Sequence, residues 1–155
     1  MDSPPLDYDF FMGEALNLAK EAAKLREVPI GCVIVYENKI IGSGMNMRNT
    51  KKCCLNHAEL IAIREASEYM GDWRLEDCVI FVTLEPCPMC AGAIVSSRIK
   101  TAVFGARNPK AGSCGSIINL LQVERFNHQV EIVEGVRAGE CSALLSEFFK
   151  GLRDG

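Results

Sequence analysis

The sequence predicts an α/β fold, a three-layer α/β/α sandwich around a mixed, about five-stranded central sheet. Two short runs, Val79–Leu84 and Thr101–Gly105, are apolar almost throughout, as strands covered on both faces are. Segments with apolar residues at helical spacing lie between and around them. An earlier pair of apolar runs, split by a polar turn, adds an antiparallel hairpin to a sheet otherwise built by parallel crossovers.

Taken in order, Tyr8 to Arg26 places Phe11, Ala15, Leu18, Ala19, Ala22 and Leu25 on one helical face, and Pro29 ends that pattern. Ile30–Tyr36 reads as a buried strand, Glu37-Asn38-Lys39 as the turn and Ile40–Gly44 as its hairpin partner. Met45 to Leu55 is polar and irregular, a loop. Asn56–Met70 reads as a helix with Asn56 as its N-cap. After the strand Val79–Leu84, Pro86 stands where a helix can begin, and that helix extends to about Ser97. The strand Thr101–Gly105 follows, then a long loop from Ala106 to Gly115. Ile117–Leu121 reads as one or two helical turns, Val130–Val133 as a short strand, and Ala138–Leu152 as a terminal helix.

A chain of 155 residues suits one domain spanning 1–155, large enough to bury a core without disulfides. No apolar run approaches the ~20 residues needed to cross a bilayer, and Met1–Pro5 lacks the basic-then-apolar layout of a signal peptide. The expectation is a soluble intracellular protein without a membrane partner. A net charge of −3 argues against broad, non-specific nucleic-acid binding but leaves room for a local basic face. Of the 8 cysteines, Cys32 and Cys78 lie inside apolar runs, where a free thiol acts as a small hydrophobe. Only Cys87 and Cys90 have a spacing that asks for chemistry.

Cysteines three apart at a helix start share one face and reach one metal. The helix dipole favours the thiolates that bind it. His57 falls at the start of the preceding helix, so two helix N-termini directed at a common centre supply three ligands: His57, Cys87 and Cys90. Three protein ligands with one open tetrahedral position describe a catalytic zinc site, in which a coordinated water has its pKa lowered to about 7. Glu59 is placed to take a proton from that water and pass it on. A structural site needs a fourth ligand, for which Cys53 and Cys54 are the nearest candidates. The reading here keeps them as loop thiols off the metal, and His128 as a surface-loop residue. H-x-E followed by P-C-x-x-C is the general signature of zinc deaminases of nucleobases.

Longer stretches carry a closer resemblance: Arg26-Glu27-Val28-Pro29-Ile30-Gly31, Asn46, His57-Ala58-Glu59, Val82 through Ala93, Ser97-Arg98-Ile99, Val103 through Arg107, Phe126-Asn127-His128, Glu140-Cys141 and Leu144 through Phe149. In these the chain resembles the bacterial tRNA-specific adenosine deaminases of the cytidine-deaminase-like superfamily. The resemblance implies a homodimeric cytoplasmic enzyme, with one zinc ion per subunit, acting on the wobble adenosine of a tRNA anticodon stem-loop. The target base is splayed from the loop into a pocket. It implies that Asn46 hydrogen-bonds the purine and that Ala58 and Glu59 hold its reacting edge. Val28, Ile30 and Leu84 then serve as pocket walls, and Phe148 and Phe149 shape the RNA groove, although core packing explains two phenylalanines on a helix equally well.

Basic residues around this pocket, Arg48, Lys51, Lys52, Arg107, Lys110, Lys150 and Arg153, are candidates for phosphate contacts. Two departures from the family pattern stand out. Cys53-Cys54-Leu55-Asn56 replaces the common Asp-Pro-Thr-Ala, and Asn108 stands where an Asp that contacts the RNA is usual. A deaminase of free bases, and a non-catalytic scaffold that uses zinc only to order its fold, are the rival readings. A basic rim favours RNA over a free base, and a scaffold has no use for Glu59.

Overall fold

A computed structural model describes residues 5–154. The reading of the extreme N-terminus as lacking a signal peptide falls largely on residues outside that range. Helix α1 (Tyr8–Lys24) starts at an Asp7 N-cap whose side chain accepts from Phe10 N at 3.0 Å. Strands β1 (Gly31–Tyr36) and β2 (Lys39–Met45) form the hairpin. The turn is two residues long, with φ of 51° at Glu37 and 62° at Asn38, the geometry that matches the twist of the flanking strands. Helix α2 (Ala58–Met70), strand β3 (Val79–Leu84), helix α3 (Pro88–Ser96) and strand β4 (Thr101–Ala106) follow. A single 3-10 turn (Leu120–Gln122), strand β5 (Glu131–Glu134) and helix α4 (Ala138–Asp154) complete the chain.

The sheet has 5 strands in the order β2-β1-β3-β4-β5. β1 runs antiparallel to both β2 and β3, whereas β3, β4 and β5 are parallel. Alternation along each strand divides the core. Cys32, Ile34, Ile80, Val82 and Phe104 face α2 and α3, while Val33, Val35, Phe81 and Val103 face α1 and α4. The predicted three layers and mixed sheet are thus present.

Two predicted helix starts are displaced. Asn56 is not the cap of α2: its backbone closes the preceding loop, with its carbonyl accepting from Met47 N at 2.9 Å, and His57 takes the N-cap position. Pro86 does not open α3 either. Its carbonyl accepts from Ser113 N at 2.9 Å, and the helix begins at Pro88 with Cys87 as N-cap.

Helix α2 lies unusually close to β2. A Cβ on Gly42 would stand 2.4 Å from the Ala62 carbonyl oxygen, and one on Gly44 2.3 Å from that of Ala58. Glycines two apart on the strand thus meet Ala58, Ala62 and Ala66 on the helix, and this contact sets the position of the helix start. Register does the rest. Gly31 pairs with Met45, and Cys32 with Val82, so the segments before β1 and after β2, β3 and β4 all emerge at one end of the sheet. That is the end at which α/β sheets bind ligands.

Candidate active site

His57 and Cys87 are both N-cap residues, and neither side chain makes the cap hydrogen bond its position invites. They turn toward each other instead. His57 Nδ1 lies 3.7 Å from Cys87 Sγ and 3.5 Å from Cys90 Sγ. The three ligand atoms all fall within 4.8 Å of one another, and this is the metal-competent group among the described residues. Cys53 and Cys54 are exposed and stand outside it, and His128 hydrogen-bonds the Ile99 carbonyl oxygen at 2.6 Å from its loop.

The electrostatics of the group suit a cation. The hydrogen bond from Cys90, helped by His57 and opposed by burial, pulls the Cys87 thiol down to about 4. Sharing that bond, and then its own burial, push Cys90 far up. The bond to Cys87 likewise raises His57 against the effect of burial. A soft imidazole-plus-dithiol set with a thiolate already favoured is a fit donor set for zinc. Glu59, in the first turn of α2, is 4% exposed. Burial pushes its carboxyl up to about 7, and the Cys87 charge adds to this against a backbone hydrogen bond and His57. A carboxyl poised there can hold or release a proton near neutral pH.

Asn46, directly after β2, is 5% exposed, and its Oδ1 has no hydrogen-bond partner. Such a buried orphan costs about 1–3 kcal/mol in the free protein, and a ligand with a donor relieves it. Ala58 is fully buried against β2, and Ile30 is half-buried against the core.

A cleft of about 560 Å³ is lined in part by Leu84, whose strand leads into Cys87. Of the predicted residues, it brings together Val28, Leu84, Arg107, Asn108, Lys110, Phe149 and Arg153. Arg48 and Lys150 are exposed and lie outside its lining; Phe148, also outside it, is half-buried and packs edge-to-face on Phe149 at 5.5 Å. Arg107 is also ion-paired with Glu134 at 2.6 Å, an exposed pair of little energetic weight. Asn108 Oδ1 accepts from Lys110 N and Ala111 N, which leaves its amide nitrogen as the group free to meet a ligand.

Sequence reasoning missed Pro109, Ser142, Leu145 and Ser146 in the cleft lining. The last three fall with Phe149 and Arg153 on one face of α4, a helical spacing that was there to be read. It also missed two buried carboxylates, Glu27 and Glu85. Each holds one of the loops flanking the site, by hydrogen bonds from Asn49 and Thr50 in one case and from Asn108, Cys114 and Ser116 in the other. In both, burial raises the carboxyl but those hydrogen bonds outweigh it and hold the group below its ordinary value.

The chain matches the model of the MafB19-like deaminase family over residues 6–153. It is 51% identical to the tRNA-specific adenosine deaminase of Bacillus subtilis (strain 168), over 94% of this chain and 90% of that protein. A solved structure from biochemical and structural studies of A-to-I editing by tRNA:A34 deaminases superposes with a TM-score of 0.84 at 35% identity, covering 88% of this chain and 99% of its own. A guanine deaminase from Nitrosomonas europaea shares the fold at 22% identity, with a TM-score of 0.77 over 93% of this chain and 85% of its own. The part-buried His-Cys-Cys group with its buried neighbour Glu59 thus sits in a chain that belongs to the tRNA-specific adenosine deaminase family.

Proposed function

We propose that this protein converts adenosine to inosine at the wobble position of a tRNA anticodon stem-loop, by hydrolytic deamination at a zinc site formed by His57, Cys87 and Cys90. The observation that carries the reading is Glu59, a buried carboxyl beside a three-ligand group, which a purely structural metal site does not need. When bound, zinc supplies a hydroxide nucleophile near neutral pH by lowering the pKa of water.

The chain's own residues do the rest. Glu59 takes the proton released as water adds to C6 of the adenine ring and delivers it to ring N1. It then carries the second proton to the departing amino group, so that one water is consumed and one ammonia leaves. Asn46 holds the purine, with its unpartnered Oδ1 there to accept from a donor on the base. Val28, Ile30 and Leu84 wall the pocket, and the Ala58 backbone borders the reacting edge. The cleft lined by Asn108, Lys110, Phe149 and Arg153 takes the neighbouring nucleotides, Phe149 offering a ring 44% exposed for a base to stack on. Arg48, Arg107 and Lys150 extend the basic rim toward the phosphates.

Purified zinc-loaded protein, offered a short anticodon stem-loop RNA with adenosine at the wobble position, should form inosine there. Conversion of free guanine or cytosine with no reaction on the RNA would replace this reading with that of a free-base enzyme. Asn46→Leu should raise the melting temperature by about 2–12 °C through loss of the orphaned acceptor while kcat/KM falls. An unchanged kcat/KM would remove Asn46 from the purine site.

The same reading makes the enzyme a cytoplasmic homodimer. Among the described residues no helix is long and apolar enough to cross a membrane. We assign to the second copy a groove along α3 lined by Gly92, Val95, Ser96, Arg98, Arg125 and Phe126, with Trp73 across Arg98. Sedimentation should give twice the chain mass, and a monomer at micromolar concentration would rule the assignment out.

A further inference from the structure

The two loops that flank the site carry most of its cations, Arg48, Lys51 and Lys52 on one, Arg107 and Lys110 on the other. Loops of that composition repel internally and favour solvent over order. Yet each is wrapped around a carboxylate from the protein interior. Glu27 and Glu85 are each 1% exposed, a burial that acidic side chains tolerate only when fully partnered.

Glu27 Oε1 accepts from Asn49 N at 3.1 Å and Oε2 from Thr50 N at 2.5 Å. Glu85 Oε1 accepts from Asn108 N at 3.1 Å and from the Ser116 hydroxyl, while Oε2 accepts from Cys114 N and Ser116 N, both at 3.0 Å. Gly112 completes this second wrap. A Cβ there would lie 2.5 Å from both Glu85 Cδ and Oε1, so the loop closes over the carboxylate only because that side chain is absent.

Neither carboxylate belongs to the metal group or lines the cleft. Both, however, are continuous with residues that matter there, since Glu27 precedes Val28 and Glu85 follows Leu84. We propose that Glu27 and Glu85 are positioning residues, internal anions that hold the two basic rim loops in their RNA-receiving shape before RNA arrives. They therefore act on substrate capture and not on the chemical step. The inference rests on the proposed action on a tRNA stem-loop. Ordering the rim in advance removes that entropy from the binding event, so losing either anchor weakens capture.

The test compares wild type, Glu27→Gln, Glu85→Gln and Gly112→Ala, all zinc-loaded. Glutamine keeps the shape but turns an NH2 toward backbone donors, and the added methyl at 112 presses on the Glu85 carboxylate and on the Asn108 carbonyl oxygen of the same wrap without altering charge. In each variant KM for the stem-loop should rise roughly tenfold, with kcat at saturation within about twofold and one zinc retained per chain. Amide exchange in the RNA-free protein should speed up at Asn49 and Thr50 in Glu27→Gln only. At Asn108, Cys114 and Ser116 it should speed up in Glu85→Gln and Gly112→Ala only.

An unchanged KM, a fall in kcat at constant KM, or amide exchange identical to wild type overturns the proposal. Should Glu85→Gln fail to fold, Ser116→Ala removes a single donor, and the same criteria apply to it. Failure of wild type itself to form inosine would instead sink the functional reading, and the exchange experiment, which needs no RNA, would still judge the loop anchors.

Discussion

Glu59→Gln is expected to lower inosine formation by about three orders of magnitude, with zinc content unchanged and thermal stability equal to or above that of wild type. Glutamine fills the same volume at a position 4% exposed and removes only the ability to carry a proton. The environment that pushes this carboxyl up to about 7 is mainly its burial, so a neutral amide sits there with less penalty than a carboxylate. Activity and stability should therefore move in opposite directions. Measuring the single-turnover rate on the stem-loop beside metal analysis and a melting curve separates the possibilities. A variant within tenfold of wild type would remove Glu59 from the proton path. Inactivity of both proteins, each with one zinc, would revive the reading of a site that only orders the fold.

The second large effect concerns the metal. Chelation of wild type should lower its melting temperature by roughly 8–16 °C, the consequence of losing about 4 kcal/mol of binding free energy at a thousandfold excess over Kd in a domain of this size. Cys87→Ala leaves two ligands of three, so it should retain no zinc after dialysis and melt at the chelated wild-type temperature. Because His57 and Cys87 cap their helices without a cap hydrogen bond, both helix starts depend on this group for order, and the loss should appear in far-UV circular dichroism as fraying. Cys53→Ala, at an exposed thiol outside the group, should change neither zinc content nor melting. A fall in zinc on its substitution would show that the loop before His57 closes the coordination shell.

How far these features were legible depended on how local their causes are. Strand β3 was read to the residue because an unbroken apolar run has one interpretation beside helical periodicity. The candidate metal group of His57, Cys87 and Cys90 was legible from the combination of H-x-E with P-C-x-x-C. The helix starts were not, because Asn56 and Pro86 have ordinary capping chemistry that the fold diverts to closing loops, through Met47 N and Ser113 N. Ile117–Leu121 tightened to a short 3-10 turn at Leu120–Gln122, a distinction that apolar spacing over five residues does not carry. Glu27 and Glu85 were invisible as anchors, since a lone glutamate one or two residues before a proline reads as solvated charge. Their donors lie in the sequence some twenty to thirty residues away. Phe148 and Phe149 were balanced between core and groove, and the structure divides them, one half-buried and one lining the cleft.

The contact of Gly42 and Gly44 with α2 makes the first hairpin a gauge block for the catalytic geometry. With the Ala62 and Ala58 carbonyls 2.4 and 2.3 Å from where a side chain would begin, no methyl fits at either strand position unless the whole helix backs away. His57 and Glu59 ride on that helix, whereas Cys87 and Cys90 ride on another that stays behind. A substitution in an inconspicuous edge strand would thus pull the imidazole and the carboxyl away from the thiols as a unit, mistuning the proposed metal grip and proton transfer together. The tolerance of this enzyme to change is therefore set by how rigidly two helices are shimmed apart, as much as by the residues that meet the substrate.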